Sequence, residues 1–245
     1  MADAHQDTFE ARNRDLTRRM SDDPHVRNVT REWIHAVLPF EYHYHFSWMG
    51  VPVIQFPSDI VAMQELIWDI KPDLIIETGI ARGGSVVFYA SMLQLLGGDG
   101  LVVGVDIDIR EHAREAIEDH AFADRIVTVQ GSSVAEDTIT AVSRYARGRK
   151  RVLVVLDSNH TEEHVAAELQ AYSQFVTPGS YIVVFDTVID DLPDRFHEGR
   201  PWAAGRGPKV AVHDFLVTHP EFHIDRSYED KLLVTVAPDG FLKRA

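Results

Sequence analysis

The chain of 245 residues has no cysteine. That excludes disulfides, thiolate metal sites and cysteine nucleophiles. It also lacks any apolar run of membrane-spanning length, and its start, Met1-Ala2-Asp3-Ala4-His5-Gln6, is polar where a signal peptide would be apolar. A cytoplasmic protein with no membrane partner is expected. Basic residues are few, 24 Lys and Arg against 38 Asp and Glu, which leaves a formal net charge of −14. Phosphate backbones need a basic footprint, so no nucleic-acid partner is expected. Internal repeats and low-complexity segments are absent too.

What remains is 45% hydrophobic and 25% charged, enough to bury one proper core. Strand and helix patterns alternate from about Asp59 onward, predicting an α/β fold with a mostly parallel sheet and helices on both faces. Pro57-Ser58-Asp59 reads as the capped start of a helix that leads into an apolar strand at Leu74. Further strands are predicted at Leu101–Asp106, Ile126–Gln130, Val152–Leu156, Tyr181–Phe185 and Leu232–Val236, with helices over 86–96, 135–147, 161–175 and 210–218. The segment from Asp186 to Pro208 has no period and holds three prolines and three glycines, the character of a functional lid. Residues 1–58 stand apart as an N-terminal extension, polar at first and then aromatic (Phe40, Tyr42, Tyr44, Phe46, Trp48, Phe56), ahead of a domain over 59–245.

The most informative stretch is Leu74-Ile75-Ile76-Glu77-Thr78-Gly79-Ile80-Ala81-Arg82-Gly83-Gly84-Ser85, a buried strand running into a glycine turn and a helix. Gly79, Gly83 and Gly84 let the backbone turn tightly and approach a ligand. A dinucleotide fingerprint would need Gly-x-Gly-x-x-Gly, and its second glycine is here Ala81, which disfavours a pyrophosphate site. The spacing resembles the first motif of S-adenosylmethionine (SAM) methyltransferases, whose cofactor has no phosphate. Asp106 ends the next strand, where a carboxylate accepts ribose hydroxyls, with Asp108 as the runner-up. In that arrangement the turn Gly131-Ser132-Ser133 flanks the adenine.

Two later strands, Val152–Leu156 and Tyr181–Phe185, finish in Asp157 and Asp186. As neighbours in one parallel sheet they would present two hard oxygen ligands beside the cofactor turn, as a Mg²⁺-type ion requires. The competing reading is that each caps a helix. His160, three residues beyond Asp157, has the titration range of a general base. The pair His160-x-x-x-His164 invites a zinc reading, but the zinc-protease motif needs Glu directly after the first His, where Thr161 stands. His223-x-Asp225 matches part of an iron-oxygenase triad and reads as surface.

Together, Trp48-x-Gly50-x-Pro52-x-Ile54-Gln55-x-Pro57-x-Asp59, Glu77-Thr78-Gly79, Leu156-Asp157-Ser158-Asn159-His160-Thr161, Gly179-Ser180-Tyr181 and Ala237-Pro238-Asp239-Gly240-Phe241-Leu242-Lys243 resemble the cephalosporin hydroxylase and rhamnosyl O-methyltransferase family. The resemblance runs from about Phe40 to the end. It implies a Rossmann-like class I SAM methyltransferase fold with an N-terminal helical and aromatic extension. The implied activity is Mg²⁺-assisted O-methylation of a deoxysugar such as rhamnose, nucleotide-linked (dTDP-rhamnose) or glycosidic, in natural-product or glycan biosynthesis.

Carried over by residue, the resemblance puts Glu77 and Gly79 on the cofactor turn, Asp106 on the ribose, Asp157 and Asp186 on the metal, and His160 on the base position; Arg82, Gly83, Ser85 and Ser132, on the same turns, are further cofactor candidates. The cephalosporin branch has Glu-Asp at the second metal strand where this chain has Phe185-Asp186-Thr187. The third ligand is therefore open among Thr187, Asp190, Asp191 and water, with Thr187 nearest in sequence. Arg200, Arg206 and Lys209 are candidates for a diphosphate, and Tyr42 to Trp48 for the sugar wall or a homo-oligomer contact. Two other classes stay open: an iron and 2-oxoglutarate-dependent hydroxylase, and a non-catalytic SAM-binding partner protein.

Overall fold

The computed structural model describes residues 2–202 and 205–245. Two helices, α1 (Ala2–Asp22) and α2 (Pro24–Val37), open the chain. Asp23 accepts from the amides of His25 and Val26 and Pro24 occupies the first helical position, so α2 is capped by its own sequence. A hairpin of β1 (Phe46–Trp48) and β2 (Val51–Val53) follows. Next come α3 (Pro57–Ile70), β3 (Leu74–Thr78), α4 (Gly84–Leu96), β4 (Leu101–Asp106), α5 (Glu111–Glu118), β5 (Ile126–Gln130) and α6 (Glu136–Ala146). The last part holds β6 (Val152–Leu156), α7 (Glu162–Tyr172), β7 (Tyr181–Val184), α8 (Pro208–Thr218), β8 (Phe222–Ile224), α9 (Arg226–Leu232) and β9 (Phe241–Arg244).

Seven strands form the main sheet in the order β5-β4-β3-β6-β7-β9-β8, with β9 antiparallel to both neighbours. The chain builds outward from β3 through β4 to β5, then returns to place β6 on the other side of β3. That reversal opens a crevice at the carboxyl end of β3, where ligands bind in open α/β sheets. Because side chains alternate along a strand, β3 feeds two cores: Ile75 joins Leu66, Tyr89 and Val155 on one face, while Leu74 and Ile76 join Leu169, Tyr172 and Val212 on the other. Both faces are covered, which is why these strands read as continuous apolar runs. No described helix is long and apolar enough to cross a membrane.

Two expectations need correcting. Leu232–Val236 is not a strand: α9 ends at Leu232, Leu233 adopts a left-handed φ of 58°, and the last strand is Phe241–Arg244. The apolar run reads as β from composition, but its amide at Val236 is taken by a side chain, Asp59 Oδ2, at 3.0 Å. Asp59, in turn, does not cap α3. It is fully buried and also accepts from Thr235 Oγ1, tying the start of the domain to its last segment.

Candidate active site

The glycine turn is shaped by the strand beside it. Gly79 has φ +92°, and a Cβ there would lie 2.0 Å from the carbonyl oxygen of Asp157. Only glycine fits. Gly83 (φ +92°) starts α4, and a Cβ on Gly84 would meet the Pro52 carbonyl oxygen at 2.1 Å, so the β1–β2 hairpin is pressed onto the helix start. Asp106 Oδ2 accepts from the amides of Ile80 (2.8 Å) and Ala81 (3.2 Å), and Oδ1 from Asp108 (3.0 Å). The acid expected to meet a ribose therefore also orders the turn. Glu77 lies beneath the turn, fully buried, with Oε2 accepting from Ser85 Oγ at 2.8 Å and Oε1 without a partner. Burial pushes its carboxyl up to about 8.

Two small cavities open along this edge. One, about 200 Å³, is lined by Gly79, Arg82, Ser85, Gln55, Asp157 and Asp186 among others. The other, about 190 Å³, is lined by Asp106, Ser132, Ser133, Ser158 and His164 among others. Arg82, Ser85, Asp106 and Ser132 thus all face the crevice that Gly79 and Gly83 shape.

Asp157 follows β6 and Asp186 follows β7, and the sheet register brings them together as expected. Ligand-capable atoms of Asp157, His160 and Asp186 lie within 4.8 Å of one another, the one such group of three among the described residues. His160 Nε2 is 3.0 Å from Asp186 Oδ2, and Gln55 Nε2 donates to Asp157 Oδ2 at 3.0 Å. Burial, reinforced by the charges of Asp186 and Glu77, holds the Asp157 carboxyl well above its usual range. Like charges forced together in a desolvated cleft call for a cation. The two carboxylates, with room left for waters or a ligand oxygen, fit a divalent ion of the Mg²⁺ type, and the His160 imidazole stands beside them.

Comparison with known proteins agrees with this geometry. The family described as rhamnosyl O-methyltransferase/CmcI matches residues 40–245. The chain belongs to that family. It is accordingly a SAM-dependent O-methyltransferase, as the resemblance implied. A rhamnosyl O-methyltransferase of Mycobacterium leprae is 28% identical over 202 residues, covering 81% of this chain and 82% of that protein. The protein of the same name from Mycobacterium bovis is 28% identical over 201 residues, covering 81% and 78%. Among solved structures, CmcI with Mg and SAM superposes with a TM-score of 0.58 at 18% identity, covering 82% of this chain and 77% of that one. An O-methyltransferase from Bacillus cereus in complex with SAH gives 0.54 at 16% identity, covering 80% and 81%. These likenesses bear out the class I methyltransferase fold.

Within this family member, several expected contacts fall elsewhere. Thr187 is not placed as a metal ligand: it is fully buried and its hydroxyl donates to the Pro238 carbonyl at 2.6 Å. Asp190 accepts from the amides of Gly207 (2.7 Å) and Lys209 (2.8 Å), fastening the 187–191 turn to α8, and Asp191 pairs with Lys209. Of the three cations proposed for a diphosphate, Arg206 is committed to Glu162 at 3.1 Å and Lys209 to Asp191, while Arg200 lines a cavity of about 430 Å³ beside His160 and Asp186. The expected lid over 186–208 supplies Trp202, whose ring meets His160 edge-on at 5.3 Å; Ala203 and Ala204 lie outside the described residues.

The discarded motifs stay discarded. His160 precedes α7 and His164 lies within it, its Nε2 3.0 Å from Ser133 Oγ and 3.5 Å from Glu168, so the two imidazoles share no ion. His223 is exposed on β8, and Asp225 caps α9 through Ser227 N (3.0 Å) while accepting from Tyr181 OH (2.7 Å). An iron-oxygenase face needs two imidazoles and one carboxylate; the cluster has the reverse.

Three neighbours of the cluster were given no role of their own by the sequence, although Gln55 stood in the family motif and His43 in the aromatic segment. Gln55 reaches Asp157 from the extension, and His43 lines two cavities at the cluster. Glu168, fully buried on α7, accepts from Ser158 Oγ at 2.7 Å and so anchors the loop that carries both Asp157 and His160.

Proposed function

We propose that the chain methylates a hydroxyl of a deoxysugar, rhamnose or a rhamnoside, with help from a Mg²⁺-type cation, in natural-product or glycan biosynthesis in the cytoplasm. The observation that carries the reading is the convergence of Asp157, His160 and Asp186 beside the Gly79 turn. The sugar class is supported by the mycobacterial relatives' name. Gly79, Arg82, Gly83, Ser85, Asp106 and Ser132 would hold SAM in the two small cavities, with Glu77 supporting the turn. Asp157 and Asp186 would hold the cation, which, when bound, polarises the sugar hydroxyl and lowers its pKa.

His160 removes the hydroxyl proton at its imidazole, and Asp186 stabilises the imidazolium that forms. The hydroxyl oxygen bonds to the methyl carbon as the carbon–sulfur bond breaks, releasing S-adenosylhomocysteine. Arranging nucleophile and methyl in line contributes on the order of 7–11 kcal/mol in well-oriented systems. Gln55 and Glu168 fasten the loop that carries Asp157 and His160.

The extension, residues 1–58, serves as a wall of the acceptor site and as an oligomer contact. Phe9, Leu16, Val29, Phe40, Tyr44 and Met49 all lie on it and are exposed, an apolar surface that a second copy would cover. Calorimetric titration with SAM, with and without Mg²⁺, followed by mass spectrometry after addition of dTDP-rhamnose or methyl rhamnoside, tests the assignment. SAM binding with an EDTA-sensitive gain of one methyl on the sugar is the expected result. Methylation that persists in EDTA would remove the cation from the mechanism, and the absence of SAM binding would overturn the reading.

A further inference from the structure

His43 sits in the short turn Tyr42–Tyr44 of the extension, far in sequence from the cluster it faces. It lines the cavity of about 430 Å³ that contains Tyr44, Phe56, Trp202 and Arg200, and also the cavity of about 200 Å³ that contains Gly79, Arg82 and Ser85. His160 and Asp186 line both as well, so His43 stands at the junction of the methyl-donor and acceptor spaces. Its ring is held by neighbours: Tyr44 at 4.5 Å and Phe56, edge-on, at 6.2 Å. Its Nδ1 is buried and has no hydrogen-bond partner.

A buried polar atom with no partner is costly, and such groups in native proteins are nearly always satisfied. The His43 side chain lines the acceptor cavity, where a bound ligand can supply the missing partner. Resting on the sugar-methyltransferase reading, we infer that His43 binds the acceptor through a second hydroxyl, adjacent to the one methylated, and so selects which hydroxyl of a vicinal diol meets the methyl group. The chemistry of the imidazole narrows the partner. A neutral ring has one donor and one acceptor nitrogen, and which one Nδ1 is depends on the tautomer. A carboxylate satisfies only the donor and an ammonium only the acceptor; a hydroxyl satisfies either.

The surroundings keep the ring neutral. Burial lowers its pKa foremost; Asp186 and Glu41 pull it up, and Arg200 and His45 push it down. A neutral imidazole suits recognition of an uncharged diol. It leaves the proton transfer to His160, which is placed against Asp186.

The test compares the full-length wild type with His43→Phe, which keeps the ring stack, and His43→Gln, which keeps a hydrogen-bonding group. The probes are methyl α-L-rhamnoside and its three mono-deoxy analogues, with calorimetric Kd and methyl-transfer KM as readouts. His43→Phe should weaken rhamnoside binding about tenfold, the loss expected for one buried hydrogen bond, with SAM affinity unchanged and His43→Gln recovering part of the loss. One deoxy analogue should bind wild type and His43→Phe equally, identifying the hydroxyl that His43 holds. In long-range ¹H–¹⁵N spectra the His43 Nδ1 resonance should shift on adding the rhamnoside. Equal rhamnoside affinity for wild type and His43→Phe, or the same loss for all three deoxy analogues, overturns the inference while leaving the function standing. A wild type that binds SAM but no rhamnoside overturns the sugar reading and this inference with it.

Discussion

The two halves of the site are built by different means. On the cofactor side, backbone meets backbone: Gly79 lies against the Asp157 carbonyl, Gly84 against the Pro52 carbonyl, and Asp106 collects three amides from two turns. On the acceptor side, side chains from separate segments face a cavity: His43, Phe56 and Tyr44 from the extension, Arg200 and Trp202 from the segment before α8. Backbone contacts tolerate almost no substitution, whereas a cavity lined by side chains from loops changes its preference residue by residue. The first half suits the proposed SAM site, and the second the proposed acceptor site.

The sharpest way to break this comparison is a single methyl group. Gly79→Ala adds a Cβ against backbone that cannot yield and forces alanine to a φ of +92°, so overpacking and backbone strain combine. A loss on the order of 2–5 kcal/mol follows, or a fall in Tm on the order of 10 °C at this chain length, with SAM binding abolished. Gly199→Ala, at φ +72° in open space on the acceptor side, should cost about 1 kcal/mol and leave SAM affinity intact. Equal losses in thermal denaturation would show that the two halves are equally rigid.

Next in size is Asp157→Asn, at the seam between the halves. Turnover should fall by about three orders of magnitude and its response to Mg²⁺ should disappear, a loss of the scale seen when one preorganised electrostatic group is removed. The metal-free variant should nevertheless melt above the metal-free wild type, because the substitution removes a half-buried carboxylate crowded by Asp186 and Glu77. A variant that still responds to Mg²⁺ would make Asp157 a structural acid. His160→Ala should be milder, with kcat down about 10²-fold, since positioning survives the loss of the base, and SAM affinity should be unchanged. A large loss of SAM binding would move His160 to the cofactor half.

The same division decided how much was legible beforehand. Glu77, Gly79, Asp106, Asp157 and Asp186 each end or follow an apolar strand, so local pattern alone places them on one sheet edge. What local pattern does not encode is the set of long-range contacts that join the extension and the last segment to the sheet edge. Gln55 meets Asp157 across 102 residues, and Asp59 meets Thr235 across 176. Asp59 had every local mark of a helix cap and Leu232–Val236 every mark of a strand; each was wrong because the other was its partner. Thr187 was one of four candidates for the third metal ligand, but the left-handed φ of Asp186 (58°) turns the chain and the Thr187 hydroxyl goes to Pro238.

The smallest predicted effect concerns the acid beneath the turn. Glu77 is pushed from 4.5 up to about 8 by burial, with Asp106 adding to the rise, while Ser85 and Tyr89 oppose it by hydrogen bonding. Between those values the folded chain keeps a proton that the unfolded chain has lost, so stability falls as pH rises. The contribution is complete below about 4.5 and lost on approaching about 8. Asp59, pushed to about 7 by burial, acts in the same direction over a lower window. The Tm of the ligand-free protein should therefore decline from about pH 5 to about pH 8.5. Glu77→Gln should reduce the upper part of that decline, above about pH 7, where Glu77 still titrates and Asp59 is mostly ionised. An unchanged slope would mean that Oε1, the oxygen without a partner, is solvated or cation-bound in solution, and that the backbone half of the site is looser than its glycine contacts imply.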